Sequence, residues 1–226
     1  MLSIIIPVLN EAMEIEAALH ALAPLRRRGC ELIVVDGGSD DATASLAAHL
    51  ADRGITAPRG RASQMNAGAA AAAKGDVLLF LHVDTRLPEN ADVLVHEALK
   101  RSGRAWGRFD VRFTAGVLPL IAWTMNRRSR MTGIATGDQA IFVTRAAFET
   151  VGGFPEIALM EDIAFSARLK RLSRPICLSA RVTTSPRRWQ KHGTGRTVLL
   201  MWRLRLAYFF GAQPDALARA YGYGNN

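Results

Sequence analysis

A chain of 226 residues, 49% of them hydrophobic, is long enough for one sizeable core, and no long polar, Ser-rich or repetitive tract divides it. Its two cysteines, Cys30 and Cys177, lie far apart without metal-like spacing, which excludes a disulfide framework and points to packing residues of a reducing compartment. The net charge of +9 is uneven: residues 1–162 hold 17 basic and 19 acidic side chains, whereas 163–214 hold 11 basic and no acidic ones, a bias that serves nucleic acid, phosphorylated ligands or an anionic membrane without choosing among them.

The chain enters "LSIIIPVL" directly after Met1, with no charged leader or cleavage site, so a cleaved secretion signal is not expected and the cytoplasm is the expected location. This apolar run predicts a strand, and "NEAMEIEAALHAL" predicts a helix from Ile15, Leu19 and Leu22 at helical spacing. "ELIVVDGG" repeats the strand, and "SDDATASLAAHLAD" the helix, with Ser39 or Asp40 as its cap. The Ala-rich "ASQMNAGAAAAAKG" predicts a third helix, and "DVLLFLHVD" a third strand. Strands this continuously apolar are covered on both faces, as in a parallel sheet with crossover helices. Ligands of such sheets bind at the carboxyl ends of the strands.

Those ends are Pro7 to Glu11, Asp36 to Asp41, and His82 to Asp84. No GxGxxG follows the first strand, and "VDGGSDDAT" lacks the Lys-Ser/Thr ending of a P-loop, so its Gly37 and Gly38 read as a tight turn. On extended chain His82 and Asp84 face the same side and can converge on one ion or ligand. The alternative is a surface turn ahead of Pro88. Further on, Glu161 and Asp162 open the helical "LMEDIAFSARL", a placement that complements the helix dipole. Near the end, "TVLLMWRLRLAYFFG" is too short and, with Arg203 and Arg205, too charged to span a bilayer. It reads as a helix packed on the core or lying at a membrane interface.

In order, "SIIIPVLNEA", "ELIVVDGGSDDAT", the spacing of "GRASQMNAGAAAAAKGD", "FLHVDTRLP", "GDQAIFVTRAAFETVGGFP" and "LMEDIAFSARL" resemble the landmarks of family 2 glycosyltransferases with the GT-A fold, over roughly residues 2–193. The resemblance is greatest to a small bacterial subgroup with "FLHxDTRLP" and "RRWxKHG". It implies an α/β GT-A type nucleotide-diphospho-sugar transferase fold, with a mainly parallel central sheet flanked by helices. The domain would span residues 1–195, with 196–226 as a basic, apolar helical extension packed on it or at a membrane surface.

The same resemblance implies an inverting, metal-dependent enzyme that moves a sugar from a UDP- or GDP-linked donor to an acceptor hydroxyl. Pro7, Asn10, Glu11 and Asp36 would surround the nucleoside, and Arg59 and Arg61 the phosphates, whose oxygens suit guanidinium forks. His82 and Asp84 would occupy the DxD motif that binds a divalent cation, Mn2+ or Mg2+. Histidine at the first position departs from that motif and shifts metal preference toward softer ions. Asp84 and His192 would be the metal ligands, with Gly137, Asp138 and Gln139 lining the donor-sugar pocket. Asp162 would be the general base, with Glu161 beside it at the acceptor end.

"SPRRWQKHG" keeps Arg188 and Trp189 of the QxxRW of processive relatives but lacks the glutamine, which argues against a polysaccharide synthase. A lipid-borne acceptor would explain membrane contact. Two other readings are open: a nucleotidyltransferase, disfavoured by the missing Gly-rich basic loop after the first strand, and a nucleic-acid-binding module, for which Trp189, Trp202 and Tyr208 are the few stacking platforms. No nucleic acid partner is expected.

Overall fold

The structure, a computed structural model, describes residues 1–113, 118–185 and 193–222. The described elements run β1 (Leu2–Val8), α1 (Ile15–Arg27), β2 (Glu31–Asp36), α2 (Thr43–Ala47), β3 (Arg53–Thr56), α3 (Arg61–Ala71), β4 (Val77–Phe80), β5 (Thr85–Arg86), α4 (Ala91–Ser102) and β6 (Trp106–Phe113). They continue with α5 (Leu118–Thr132), a 3-10 turn (Gly137–Gln139), β7 (Phe142–Thr144), α6 (Arg145–Thr150), α7 (Glu161–Leu172), β8 (Ile176–Thr184), α8 (Thr194–Phe209) and α9 (Pro214–Tyr221).

The eight strands form one sheet in the order β3-β2-β1-β4-β7-β6-β8-β5. The first four are mutually parallel, as their unbroken apolar sequences predict. Strand β7 runs against both β4 and β6, and β5 runs against β8, so the sheet as a whole is mixed. Because successive side chains alternate, β1, β2 and β4 feed two cores at once. Ile4, Ile6, Leu32, Val34 and Leu79 pack with Ile15, Leu19 and Leu22 of α1. Ile5, Ile33, Val35, Leu78 and Phe80 pack with Met65 and Ala69 of α3 and with Phe148, Phe154 and Phe165.

Helix α3 lies very close to the sheet. A Cβ on Gly68 would sit 2.4 Å from Ile5 Cγ2 and 2.9 Å from Val35 Cγ2, so a glycine is what permits the approach. Four residues earlier, the buried Gln64 donates to the Val8 and Val35 carbonyls, 2.8 Å each, and ties the ends of β1 and β2 together. Cys30 is buried and burial is the main cause that pushes its thiol up to about 11, in keeping with a packing role.

Two sequence expectations are corrected. The third strand ends at Phe80 and does not continue to Asp84, because Thr85 N–H donates to His82 O (3.0 Å) and closes a turn over His82–Thr85. His82 and Asp84 therefore do not share a side by strand periodicity. Helix α2 is only five residues long and begins after Ala42, since Ser39 and Asp40 are engaged with the neighbouring loop and do not cap it. The C-terminal helix starts at Thr194, and α8 and α9 pack on the domain through Leu204, Leu217 and Ala218 against Leu159 and Met160. No described helix is long and apolar enough to cross a membrane.

Candidate active site

The loops after β1 and β2 are bonded to one another along their length. Asn10 takes a positive φ of 54°, its N–H donates to Ser39 Oγ (2.9 Å), and its Oδ1 accepts from Asp40 N (2.9 Å). Glu11 N donates to Thr43 Oγ1 (2.8 Å), and Ala12 N to Asp41 Oδ2 (3.2 Å). Asp36, at the end of β2, accepts from the backbone N–H groups of Gly38 (3.1 Å) and Ser39 (3.0 Å) and from Ser39 Oγ. Pro7 sits just upstream, paired in register with Val35. The structure thus gathers Pro7, Asn10, Glu11 and Asp36 on one rim.

A second group forms a cleft lined by Met65, Phe80, His82, Gly137, Ile141, Phe154, Glu161 and Asp162. Its floor is aromatic: Phe80 meets Phe154 edge-on with centroids 4.8 Å apart, and Phe154 stacks on Phe165 at 3.9 Å. The His82 ring lies so close over Gly137 that a Cβ there would be 2.5 Å from Cε1 and Nε2. Its Nδ1 is 3.3 Å from Asp138 Oδ1. Burial disfavours the charged form of Asp138, yet the hydrogen bond and charge of His82, with Arg61 and Arg205, outweigh it and hold the carboxyl below its ordinary value.

Asp162 projects from the first turn of α7, and its carboxylate accepts from Gly137 N (2.9 Å) and Ile163 N (2.7 Å). The preceding Met160 adopts a left-handed φ of 71°, which starts the helix abruptly at the two acids. Glu161 is 6% exposed, and its carboxyl is raised from 4.5 to about 7. Burial against the apolar floor is the main cause and the charge of Asp162 adds to it, while Arg61 and His82 oppose. The pair thus places one carboxylate fixed by backbone beside one acid that titrates near neutrality. That arrangement can accept a proton from a hydroxyl brought within reach.

Among the remaining expected site residues, Arg59 and Arg61 are exposed at the start of α3, and the charge of Arg61 reaches Glu161 and Asp138. Asp84 is half-buried in the turn after β4, accepts from Thr85 Oγ1 (3.3 Å), and its carbonyl accepts from Ser185 N (3.1 Å). Gln139 does not line the cleft: it is fully buried, its Oε1 accepts from Thr136 N (3.2 Å), and its amide faces Asn126. A side chain that closes its own turn in this way is lost to the pocket. Arg188, Trp189 and His192 lie outside the described residues. Sequence reading missed the apolar lining (Met65, Phe80, Ile141, Phe154), which is indistinguishable from core by pattern. It also missed Gln64, a polar residue in an otherwise small and apolar helical run, which was the available signal.

The profile of glycosyl transferase family 2 matches residues 3–148. No curated protein matches significantly in sequence. Several solved structures share the fold at low identity. TarS 1–349 from S. aureus, in complex with UDP-GlcNAc, aligns with a TM-score of 0.67 at 18% identity over 81% of this chain and 58% of that one. A longer S. aureus TarS structure aligns at 0.66, and this chain covers only 36% of it. The mannosyltransferase PcManGT from Pyrobaculum calidifontis, in complex with GDP-Man and Mn2+, aligns at 0.65 and 21% identity over 98% of this chain and 69% of that one. Glucosyl-3-phosphoglycerate synthase from Mycobacterium tuberculosis, in complex with Mg2+ and UDP, aligns at 0.60 and 20% identity over 81% and 70%. With the family profile covering well over half its length and a GT-A-like α/β sheet beneath it, the chain belongs to glycosyl transferase family 2.

Proposed function

We propose that the chain transfers a sugar, with inversion, from a UDP- or GDP-linked donor to an acceptor hydroxyl. The observation that carries this reading is the Asp162 carboxylate, fixed by two backbone N–H groups at a cleft also lined by His82, whose ring is paired with Asp138. In a single displacement the acceptor oxygen bonds to the anomeric carbon while the carbon's bond to the diphosphate oxygen breaks. The hydroxyl proton passes to Asp162, and attack opposite the leaving group inverts the centre. Glu161, half-protonated near pH 7, lessens the negative charge that its neighbour would otherwise meet.

The bonded loops after β1 and β2 are the nucleoside rim. A carboxylate has about four lone-pair sites, and the three hydrogen bonds that Asp36 accepts leave one for a base N–H. The solved structures with UDP-GlcNAc, UDP and GDP-Man support such a donor. A divalent cation fits the donor set. Asp84, half-buried in the turn after β4, would hold such an ion through a hard oxygen, the ligand type that suits Mg2+ and Mn2+. When bound, it neutralises charge on the departing diphosphate.

An anionic membrane is the surface this reading assigns to α8. Leu199, Trp202, Leu206, Phe209 and Phe210 are 59–82% exposed and recur on the face opposite the buried Leu204. The acid-free segment 163–214 supplies the complementary charge. Sedimentation with phosphatidylglycerol-containing vesicles, but not with pure phosphatidylcholine, tests this. Absence of binding at low salt rejects it.

The transfer reading is tested by melting the protein with UDP, GDP, dTDP and their sugars, with and without Mn2+, and by assaying Asp162→Asn with the sugar donor that stabilises most. The variant is expected to keep nucleotide affinity and lose about two to four powers of ten in rate. Wild-type turnover in Asp162→Asn removes that residue from the role.

A further inference from the structure

The two backbone N–H groups that hold the Asp162 carboxylate are not equivalent. Ile163 belongs to the same helix as Asp162 and moves with it. Gly137 N, 2.9 Å from Oδ2, is the donor that fixes the carboxylate against the rest of the protein. Whatever holds Gly137 therefore holds Asp162.

Two buried side chains hold the strip of residues 135–139 that carries Gly137. Ser166 lies one turn beyond Asp162 on α7 and is fully buried, and its Oγ accepts from Ala135 N and donates to Ala135 O, 3.1 Å each. A serine inside a helix can return its proton to the carbonyl four residues back, which here is that of Asp162. Ser166 gives it to Ala135 instead. Since residues i and i+4 share a helix face, α7 grips the strip twice, at Ala135 and at Gly137. At the far end the fully buried Gln139 accepts from Thr136 N (3.2 Å) through Oε1 and turns its amide to Asn126 Oδ1 (3.4 Å). Asn126 in turn bonds both the N–H (2.9 Å) and the carbonyl (3.0 Å) of Val111 in β6. Ala140, the next residue, takes a left-handed φ of 47°, a conformation that alanine enters at a cost and keeps where its surroundings over-determine it. The strip is thus tied to α7 by a serine and to β6 by a glutamine.

We infer that Ser166 and Gln139 are positioning residues for the transfer step, acting on Asp162 through the Gly137 N–H. The assignment to transfer rests on the reading above; the clamp itself does not. Neither side chain lines the cleft. Both are needed as polar groups, because an apolar replacement leaves buried backbone groups of Ala135 or Thr136 unpaired, and the strip shifts to find new partners. A displacement of about 1 Å at a group that orients a reactant costs up to about 10²-fold in rate.

Ser166→Ala and Gln139→Met test this in the full chain, with circular dichroism to verify the fold. In the ligand-free protein the Gly137 amide is followed by 1H–15N spectroscopy, with Asp162→Ala marking its position when the acceptor is absent. In both variants the resonance should move toward that position, and its hydrogen exchange should quicken at least about ten-fold. With the sugar donor that stabilises the wild type most, kcat should fall at least about ten-fold, while KM for the donor and the affinity for UDP or GDP stay within about two-fold. A Gly137 amide unmoved in both variants would overturn the inference, as would an unchanged kcat beside a moved amide. Parallel loss of nucleotide affinity would show general loosening and would overturn it too. Should Gln139→Met not fold, Ser166→Ala, which removes a single oxygen, decides alone. A wild type that transfers no sugar would sink the transfer reading, and a moved Gly137 amide would still leave the clamp standing.

Discussion

Replacing Glu161 by glutamine removes a carboxyl that the aromatic floor and Asp162 have moved from 4.5 to about 7. Between those values the native state holds a proton that the unfolded chain has released, so this group's contribution to stability is full below about pH 4.5 and is lost as pH rises to about 7. The whole displacement is worth about 3 kcal/mol. Carboxyls such as Asp138 and Glu31 are shifted the other way and contribute stability that is lost at lower pH, so wild type alone would show a mixture. The difference between wild type and Glu161→Gln reads the Glu161–Asp162 pair apart from those other carboxyls. In urea unfolding of the ligand-free protein, the variant should be close to wild type at pH 5 and more stable at pH 8, by an amount approaching that figure. Stability curves that run parallel across pH 5–8 would refute the account, because they would mean that the pair titrates alike in both states.

Gly137→Ala places a methyl within 2.5 Å of the His82 ring and should displace it from Asp138, lowering turnover by about 10²-fold with the fold retained, as read by steady-state kinetics beside circular dichroism. Gln64→Leu removes two buried hydrogen bonds to the Val8 and Val35 carbonyls and should destabilise by about 1–3 kcal/mol in urea unfolding. Asp84→Ala should abolish the metal-dependent part of UDP or GDP affinity, measured calorimetrically with and without Mg2+; an unchanged metal response would return Asp84 to an ordinary turn.

The parallel half of the fold was legible because β1, β2 and β4 are buried on both faces and so are written in unbroken apolar letters. Strand β3 escaped because it is a short edge whose residues are mostly exposed, and β5 because two residues carry no pattern at all. The failure at His82 has a different cause. "HVDT" contains no glycine or proline, and its turn is imposed by a backbone bond to Thr85 and by the antiparallel pairing of Thr85 with Thr184, a hundred residues away in effect and invisible locally. Glu161 and Asp162 stand out in the sequence through motif order, but the burial that raises the Glu161 carboxyl does not, since it comes from tertiary packing around that side chain.

The mutual bonding of the loops at Asn10–Ala12 and Ser39–Thr43 also bears on the timing of recognition. Loops that are mobile before a ligand arrives must be ordered at the moment of binding, at a cost of about 1–2 kcal/mol for each backbone residue fixed. Here the chain's own amides, hydroxyls and carboxylates have ordered the rim during folding. If the rim takes the nucleoside as proposed, the ligand gives up its own freedom and little of the protein's, so association at this end should be fast and concentration-limited, with no slow conformational step preceding it.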